Sequence, residues 1–368
     1  MERIRIFVNV LKYFLLIAYF GIVSTGSSLA QEVPLYFGIY QFPPNRIPSI
    51  DGNASDWQLV PDSLAIGIDA LKNVNAPDGS IDTNNMNVTV KVGWVNGLNR
   101  LYFLYEAYDN YWNFSRASLA SDIFELVVDG DRSGGPFIDR FHPDTTIDLM
   151  DAYFTFHGVH AQNYHIFTPP GDKDWAMLWG PQTWLKSLPY AQSAYRYEFA
   201  PGGRGRLTLE FYITPFDFAS AAGPAHSIPS QLVEHKTIGL GWGVIDYDDE
   251  PDALPDFWIL GSDRTMYSNA SHLRPFKLLP LAPEWLPDLQ SEWHFHVDPN
   301  DVRLVSFRDE SLGHVTTWYW DFGDGSHSTE QHPHHRYEAP GLYVVSLRVS
   351  DGATESTRTK IWDVAIRQ

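Results

Sequence analysis

Apolar and polar residues alternate in short runs along most of the chain, while the three-and-four spacing of an amphipathic helix is almost absent. The runs are "NVTVKVGW" from Asn87, "RLYFLYEAY" from Arg100, "FELVVDG" from Phe124 and "AYFTFHGV" from Ala152. They continue with "RLTLEFYIT" from Arg206, "IGLGWGVI" from Ile238, "VRLVSF" from Val302, "LYVVSLRVS" from Leu342 and "KIWDVAI" from Lys360. A period of two puts successive side chains on opposite faces, so each run predicts a strand. Clusters of Gly, Pro, Asn and Asp separate the runs. Many short strands between turn clusters predict an all-β fold of the sandwich kind. The proline-rich stretch "LLPLAPEWLPDLQ", Leu278 to Gln290, breaks the alternation and predicts a linker. The expected domains are residues 31–285 and 286–368.

The first thirty residues read differently. Arg3, Arg5 and Lys12 precede an apolar run, and Ser28 and Ala30 stand just before Gln31. This is the pattern of a secretory signal peptide over residues 1–30. The run is short and broken by Gly21, which disfavours a membrane anchor. The expected mature protein is exported, extracellular or periplasmic, with no membrane span. It has no cysteine, so no disulfide reinforces it. The net charge of −19 argues against nucleic acid or an anionic membrane as the main partner.

Three groups of residues carry candidate chemistry. In "VVDGDRSGG", Asp129 and Asp131 alternate and glycines follow, the oxygen spacing a hard cation such as Ca2+ requires. The twelfth loop position is Arg140, preceded by Asp139, which excludes a helix–loop–helix calcium hand. A polar turn in which Asp and Gly serve only the backbone would carry the same letters. Asp246 and Asp248 in "IDYDDE" form a second acidic group; crowded carboxylates repel unless protonated or metal-bound. The third group is aromatic: Tyr111 and Trp112 in "YDNYWNF", then Trp175, Trp179 and Trp184 in "GDKDWAMLWGPQTW". Flat rings beside amides and carboxylates suit a sugar, although each such Trp could equally be a lid over a sheet edge. Trp57, Trp94, Trp242 and Trp258 lie on strand patterns and are expected in the core.

Glycoside hydrolysis needs a pair of carboxylates, for which Glu125, Glu210, Asp246 and Asp248 are candidates. No nucleophile elbow, zinc helix or phosphate loop is present in the sequence. The chain is expected to be non-catalytic.

Two resemblances follow from ordered motifs. "WDFGDG" from Trp320, Pro333, His335 and Tyr337, then "GLYVVSLRV" from Gly341, resemble the polycystic kidney disease (PKD) domain. This implies an immunoglobulin-like β-sandwich acting as a spacer or adhesion module. His327, His332, His334 and His335 lie around an exposed turn, and without Cys or regular spacing they do not predict zinc. In the front part, "SIDGNASDW" from Ser49, "RLYFLYEAYDNYW" with Asp109, and "SDIFELVVDGD" with Asp122, Glu125 and Asp129 come in order. "LTLEFYITPFDF" with Glu210 and "IGLGWGVIDYDDE" with Asp246 and Asp248 complete the set. Together they resemble carbohydrate-binding modules of family 9. The resemblance implies a jelly-roll-like sandwich with structural calcium, often appended to glycoside hydrolases. Among its sugar-contacting positions Glu125 is kept, whereas Leu119, Thr155, His157, Gly243 and Ala270 fall near the others.

The leading expectation is a secreted, calcium-stabilised protein binding polysaccharide or cell-surface glycan. Expected ligand residues are Tyr111, Trp112, Glu125, Trp175 and Trp179; expected metal ligands are Asp129, Asp131, Asp246 and Asp248. A secreted glycoside hydrolase or cell-surface protein is the expected companion. The alternatives are an adhesion protein contacting other proteins and, more weakly, a small glycosidase.

Overall fold

The computed structural model describes residues 36–77, 79–115, 120–137, 157–248 and 254–366, side chains of 361–365 excepted. In the front part eleven main strands carry the fold. They are β1 (Phe37–Gln41), β2 (Met86–Trp94), β3 (Leu101–Asp109), β4 (Ile123–Asp129), β5 (Gln162–Phe167) and β6 (Ala176–Leu178). β7 (Ala191–Tyr197), β8 (Gly205–Ile213), β9 (Thr237–Asp246), β10 (Asp256–Leu260) and β11 (Arg274–Leu278) complete them.

Two sheets result. One runs β6-β5-β4-β9-β11-β1, with β10 also on β9; the other runs β1-β2-β3-β8-β7. β1 joins both: Phe37 to Ile39 pair with β11, and Tyr40 and Gln41 pair with β2, all in parallel. The main core lies between the sheets, where Val90, Trp94, Phe103, Tyr105, Phe124, Leu126, Phe211 and Trp242 are buried. Phe103 stacks on Phe211 at 4.7 Å, and Tyr105 meets Phe124 across the core at 4.7 Å. Trp57, Trp94, Trp242 and Trp258 are all buried as expected.

The alternation is less regular than a sandwich with wet outer faces would give. Every residue of β4 and of β5 is buried. Outer layers cover both sheets: Phe42, Trp57 and Val60 pack on Tyr102, Leu104 and Tyr212 of one. Phe137, Met266 and Leu273 pack with Val127, Phe257 and Ile259 of the other. Strands buried on two faces read as near-continuous apolar runs, as in "LYFLY".

Glu210 ties the first of these layers down. It accepts the backbone N–H groups of Asp51, Gly52 and Asn53 and the Trp57 indole N–H at 2.7 to 3.3 Å. Gly52 sits at φ +81°, and a Cβ there would lie 2.9 Å from the Tyr195 backbone, so the turn requires glycine. Glu210 is thereby removed from the catalytic candidates: its oxygens serve the fold. The loop "DGNASD" forms Asx turns and leads into the 3-10 turn Ala54–Leu59.

The tail has two small sheets. β12 (Trp293–Val297), β13 (Leu304–Asp309) and β16 (His334–Arg336) form one, in that order. β15 (His327–Ser328), β14 (Thr317–Asp321), β17 (Gly341–Ser350) and β18 (Glu355–Ile366) form the other. Its core is separate from those in front and contains Trp293, Phe307, Trp320, Phe322, Tyr337, Val345, Leu347 and Val349. Phe322 and the alternate residues of β17 point inward, as their period of two requires.

Candidate functional site

Three carboxylates meet where strand ends of the two sheets converge. Asp109 closes β3, Asp122 directly precedes β4, and Asp246 closes β9, whose Ile245 pairs with Ile123. All three are buried, and one oxygen from each lies within 4.8 Å of the others. Asp122 accepts from the backbone N–H groups of Asn113 and Tyr247, and Asp246 accepts from the Asn85 amide at 3.1 Å. Asp109 Oδ2 and Asp246 Oδ1 are buried with no hydrogen-bond partner among the described residues. Burial, then the neighbouring acids, pushes Asp246 up to about 9. Burial raises Asp109 to about 6 and lifts Asp122 well above the usual carboxylate range. Such a set must hold protons or a cation.

This regroups the expected metal ligands. Asp246 belongs to the cluster, and Asp248 adds to its negative field at both Asp109 and Asp246. Asp129 and Asp131 do not join it. Asp129 closes the far end of β4, about 23 Å from Asp122 at ~3.3 Å per residue. There Asp129 Oδ2 accepts from Gly134 N–H at 2.9 Å and Asp131 Oδ1 accepts from Ser133 N–H at 2.9 Å. Asp129 Oδ1 is buried without a hydrogen-bond partner among the described residues. Asp109 and Asp122 stood in quoted motifs, but their convergence depends on strand order, which letters do not display.

The outer face of β4 and β5 forms a second polar group. Glu125 pairs across the strands with His165, and Asn163 Nδ2 donates to Glu125 Oε1 at 3.1 Å. All three side chains are buried. Burial pushes Glu125 up to about 7 and His165 down to about 4, so His165 is neutral near pH 7. Among the described residues, neither ring nitrogen of His165 has a hydrogen-bond partner, nor has Asn163 Oδ1. The partly exposed Trp179 meets the His165 ring edge-on at 5.8 Å, and Phe167 meets it at 5.7 Å.

The aromatic expectations separate. Trp112 is fully buried, stacked on Phe199 at 4.9 Å and donating to Gly205 O, so it cannot serve as an open platform. Tyr111 is partly exposed and lies against Gly202. Trp175 donates to Lys186 O and leans on Phe211, closing the sandwich edge. Trp184 closes the same region on Tyr190 and Phe216. Of these rings, Trp179 is the one that borders the Glu125 group. Asn163 and His165 are the polar letters of the four-residue alternation "NYHI", a signal too short to stand out among the longer runs. Leu119, Thr155, Asp139 and Arg140 lie outside the described residues, as do residues 1–30.

Comparison with known proteins concerns both parts. Residues 300–366 match the family model of the PKD domain. The tail is PKD-like. Collagenase ColQ1 from Bacillus cereus (strain Q1) is 42% identical over 53 residues, 14% of this chain and 5% of that protein. A microbial collagenase from Vibrio alginolyticus is 51% identical over 39 residues, 11% of this chain and 5% of that protein. The chain thus spans 5% of the length of either collagenase. Among solved structures, the PKD1 domain of the Vibrio cholerae metalloprotease PrtV is 26% identical, with a TM-score of 0.18. The match covers 20% of this chain and 90% of that domain. A family 9 carbohydrate-binding module from Caldicellulosiruptor kristjanssonii, in complex with cellotriose, is 14% identical with a TM-score of 0.41. It covers 67% of this chain and 95% of that module. Both resemblances read from the sequence recur in these comparisons.

Proposed function

We propose that the chain is a secreted, non-catalytic carbohydrate-binding protein whose front domain holds a polysaccharide or cell-surface glycan at the Glu125 face. The carrying observation is the buried set of unpartnered atoms, both His165 nitrogens and Asn163 Oδ1, beside Glu125 and Trp179. Sugar hydroxyls donate and accept at once. A neutral imidazole offers one donor and one acceptor, and an amide oxygen accepts. Glu125, held near the midpoint of its titration at pH 7, supplies whichever role the hydroxyl leaves open. Trp179 gives the apolar surface that the C–H side of a sugar ring needs. The PKD-like tail acts as spacer, with a glycoside hydrolase or cell-surface protein as companion.

Calcium is part of the same proposal. Asp109, Asp122 and Asp246 would hold it, since an all-oxygen set with two orphaned buried oxygens suits a hard cation. The ion would neutralise the buried charge and fasten the ends of β3 and β9 to the start of β4. Asp129 and Asp131 are candidates for a second ion, on the strength of the orphaned Asp129 Oδ1.

The test is affinity electrophoresis through gels with embedded polysaccharides, with calcium and with chelator. Retardation by a glycan that weakens about tenfold in Trp179→Ala and in His165→Ala is the expected result, about 1–1.5 kcal/mol per contact. Equal retardation of both variants and wild type would remove the binding from this face. No retardation of a folded protein by any glycan would favour the protein-contacting adhesion role instead.

A further inference from the structure

Three of the tail's seven histidines, His294, His296 and His334, share one sheet face. β12 carries His294 and His296 two residues apart, both exposed. His296 pairs with Ser306 on β13, and Ser306 pairs in turn with the exposed His334 on β16. Directly opposed residues share a face, so His296, Ser306 and His334 form one cross-strand row. The outer Cα atoms of that row stand about 9.6 Å apart, and His294 follows about 6.7 Å along β12. Serine, being small, leaves the space between the two imidazoles open. His334 Nδ1 is bonded to Ser306 Oγ at 2.9 Å, and His294 Nδ1 to Glu310 Oε1 at 2.8 Å. A hydrogen bond at one ring nitrogen fixes which nitrogen is offered to a metal, and such bonds accompany metal-ligating histidines.

We propose that His296 and His334, with His294 as a third ligand, bind a divalent transition-metal ion such as Zn2+, Ni2+ or Cu2+ on this face. Imidazole is the donor these ions prefer, whereas the all-carboxylate cluster in front suits a hard ion. The rings are exposed, so converging over Ser306 costs side-chain rotation and, where a ring must leave Ser306 or Glu310, that hydrogen bond. His294 is the weakest of the three because its cross-strand partner is the cationic Arg308. The nearby Arg336 is occupied by Asp301, which tempers its repulsion of an ion at His334.

The probe is Zn2+, titrated calorimetrically into the full chain in calcium-containing buffer. The expected result is one equivalent whose affinity falls at least about tenfold in His296→Ala and in His334→Ala, no less than loss of a supporting partner costs. His294→Ala lowers it less, and His327→Ala leaves it unchanged. In wild type, Ni2+ broadens the amide signals of residues 294–296, 306 and 334 first, a readout that needs no variant. Absence of zinc binding, binding undiminished in both variants, or broadening centred elsewhere would overturn the proposal.

Discussion

The two parts of the chain are both β-sandwiches, yet they treat buried polar groups in opposite ways. In the tail each fully buried Trp and Tyr among the described residues is satisfied: Trp293 donates to Arg358 O, Trp320 to Glu330 O and Tyr337 to Phe322 O. Among the described residues, every buried side-chain atom without a hydrogen-bond partner lies in front, from Gln41 to Trp258. Leaving such an atom unpaired costs about 1–3 kcal/mol, so a group of them is retained where something outside the chain completes it. The tail is finished by its own residues. The front domain leaves buried polar atoms unpaired, which the proposed glycan and calcium would complete.

The largest expected effect tests whether the two cores are independent. Trp320→Ala, at the centre of the tail core, should cost about 3–5 kcal/mol. In calorimetry the front transition should stay in place; if both transitions move together, the cores are coupled. Next in size, removing calcium with chelator should cost about 2.7 kcal/mol at an ion concentration a hundredfold above Kd. This would lower the front transition by about 5–10 °C and leave the tail unmoved. An Asp246→Asn variant should be less sensitive to chelator than wild type; equal sensitivity would place the ion elsewhere.

A smaller effect, about 1–3 kcal/mol, concerns pH. Burial raises Glu125 from an ordinary value of 4.5 to about 7. The folded protein therefore keeps a proton that the unfolded chain has released. The stability this gives is full below pH about 4.5 and is lost as pH rises through about 7. Glu125→Gln keeps the Asn163 contact possible and removes the titration, so its melting temperature should fall less between pH 5 and 8 than that of wild type. Parallel curves would mean that Glu125 is not the protonated group.

Much of the fold was legible because it rests on local patterns. The period of two in "NVTVKVGW" and "LYVVSLRVS" marks strands wherever they pack, and the Trp residues on such runs are buried. The turn glycines and "WDFGDG" mark the tail for the same reason: the backbone demands those residues locally. The site was less legible. "YDNYW" reads as an open aromatic loop, but Trp112 turns inward onto Phe199, a partner 87 positions away. Asn163 and His165 alternate with Tyr164 and Ile166 and so read as an outward, wet face, whereas the strand is buried on both faces.

By itself the sequence determined the all-β class, most strands and their turns, and the presence of acids and histidines in excess of what turns require. Tertiary structure alone decided which of them meet. Asp246 joins Asp109 and Asp122 rather than Asp129 because β9 runs antiparallel to β4, bringing its end to the start of β4. His296 and His334 share a row because β13 lies between their strands. Strand formation is a property of neighbours in the chain; convergence of side chains depends on strand order and register, which the period of two leaves open.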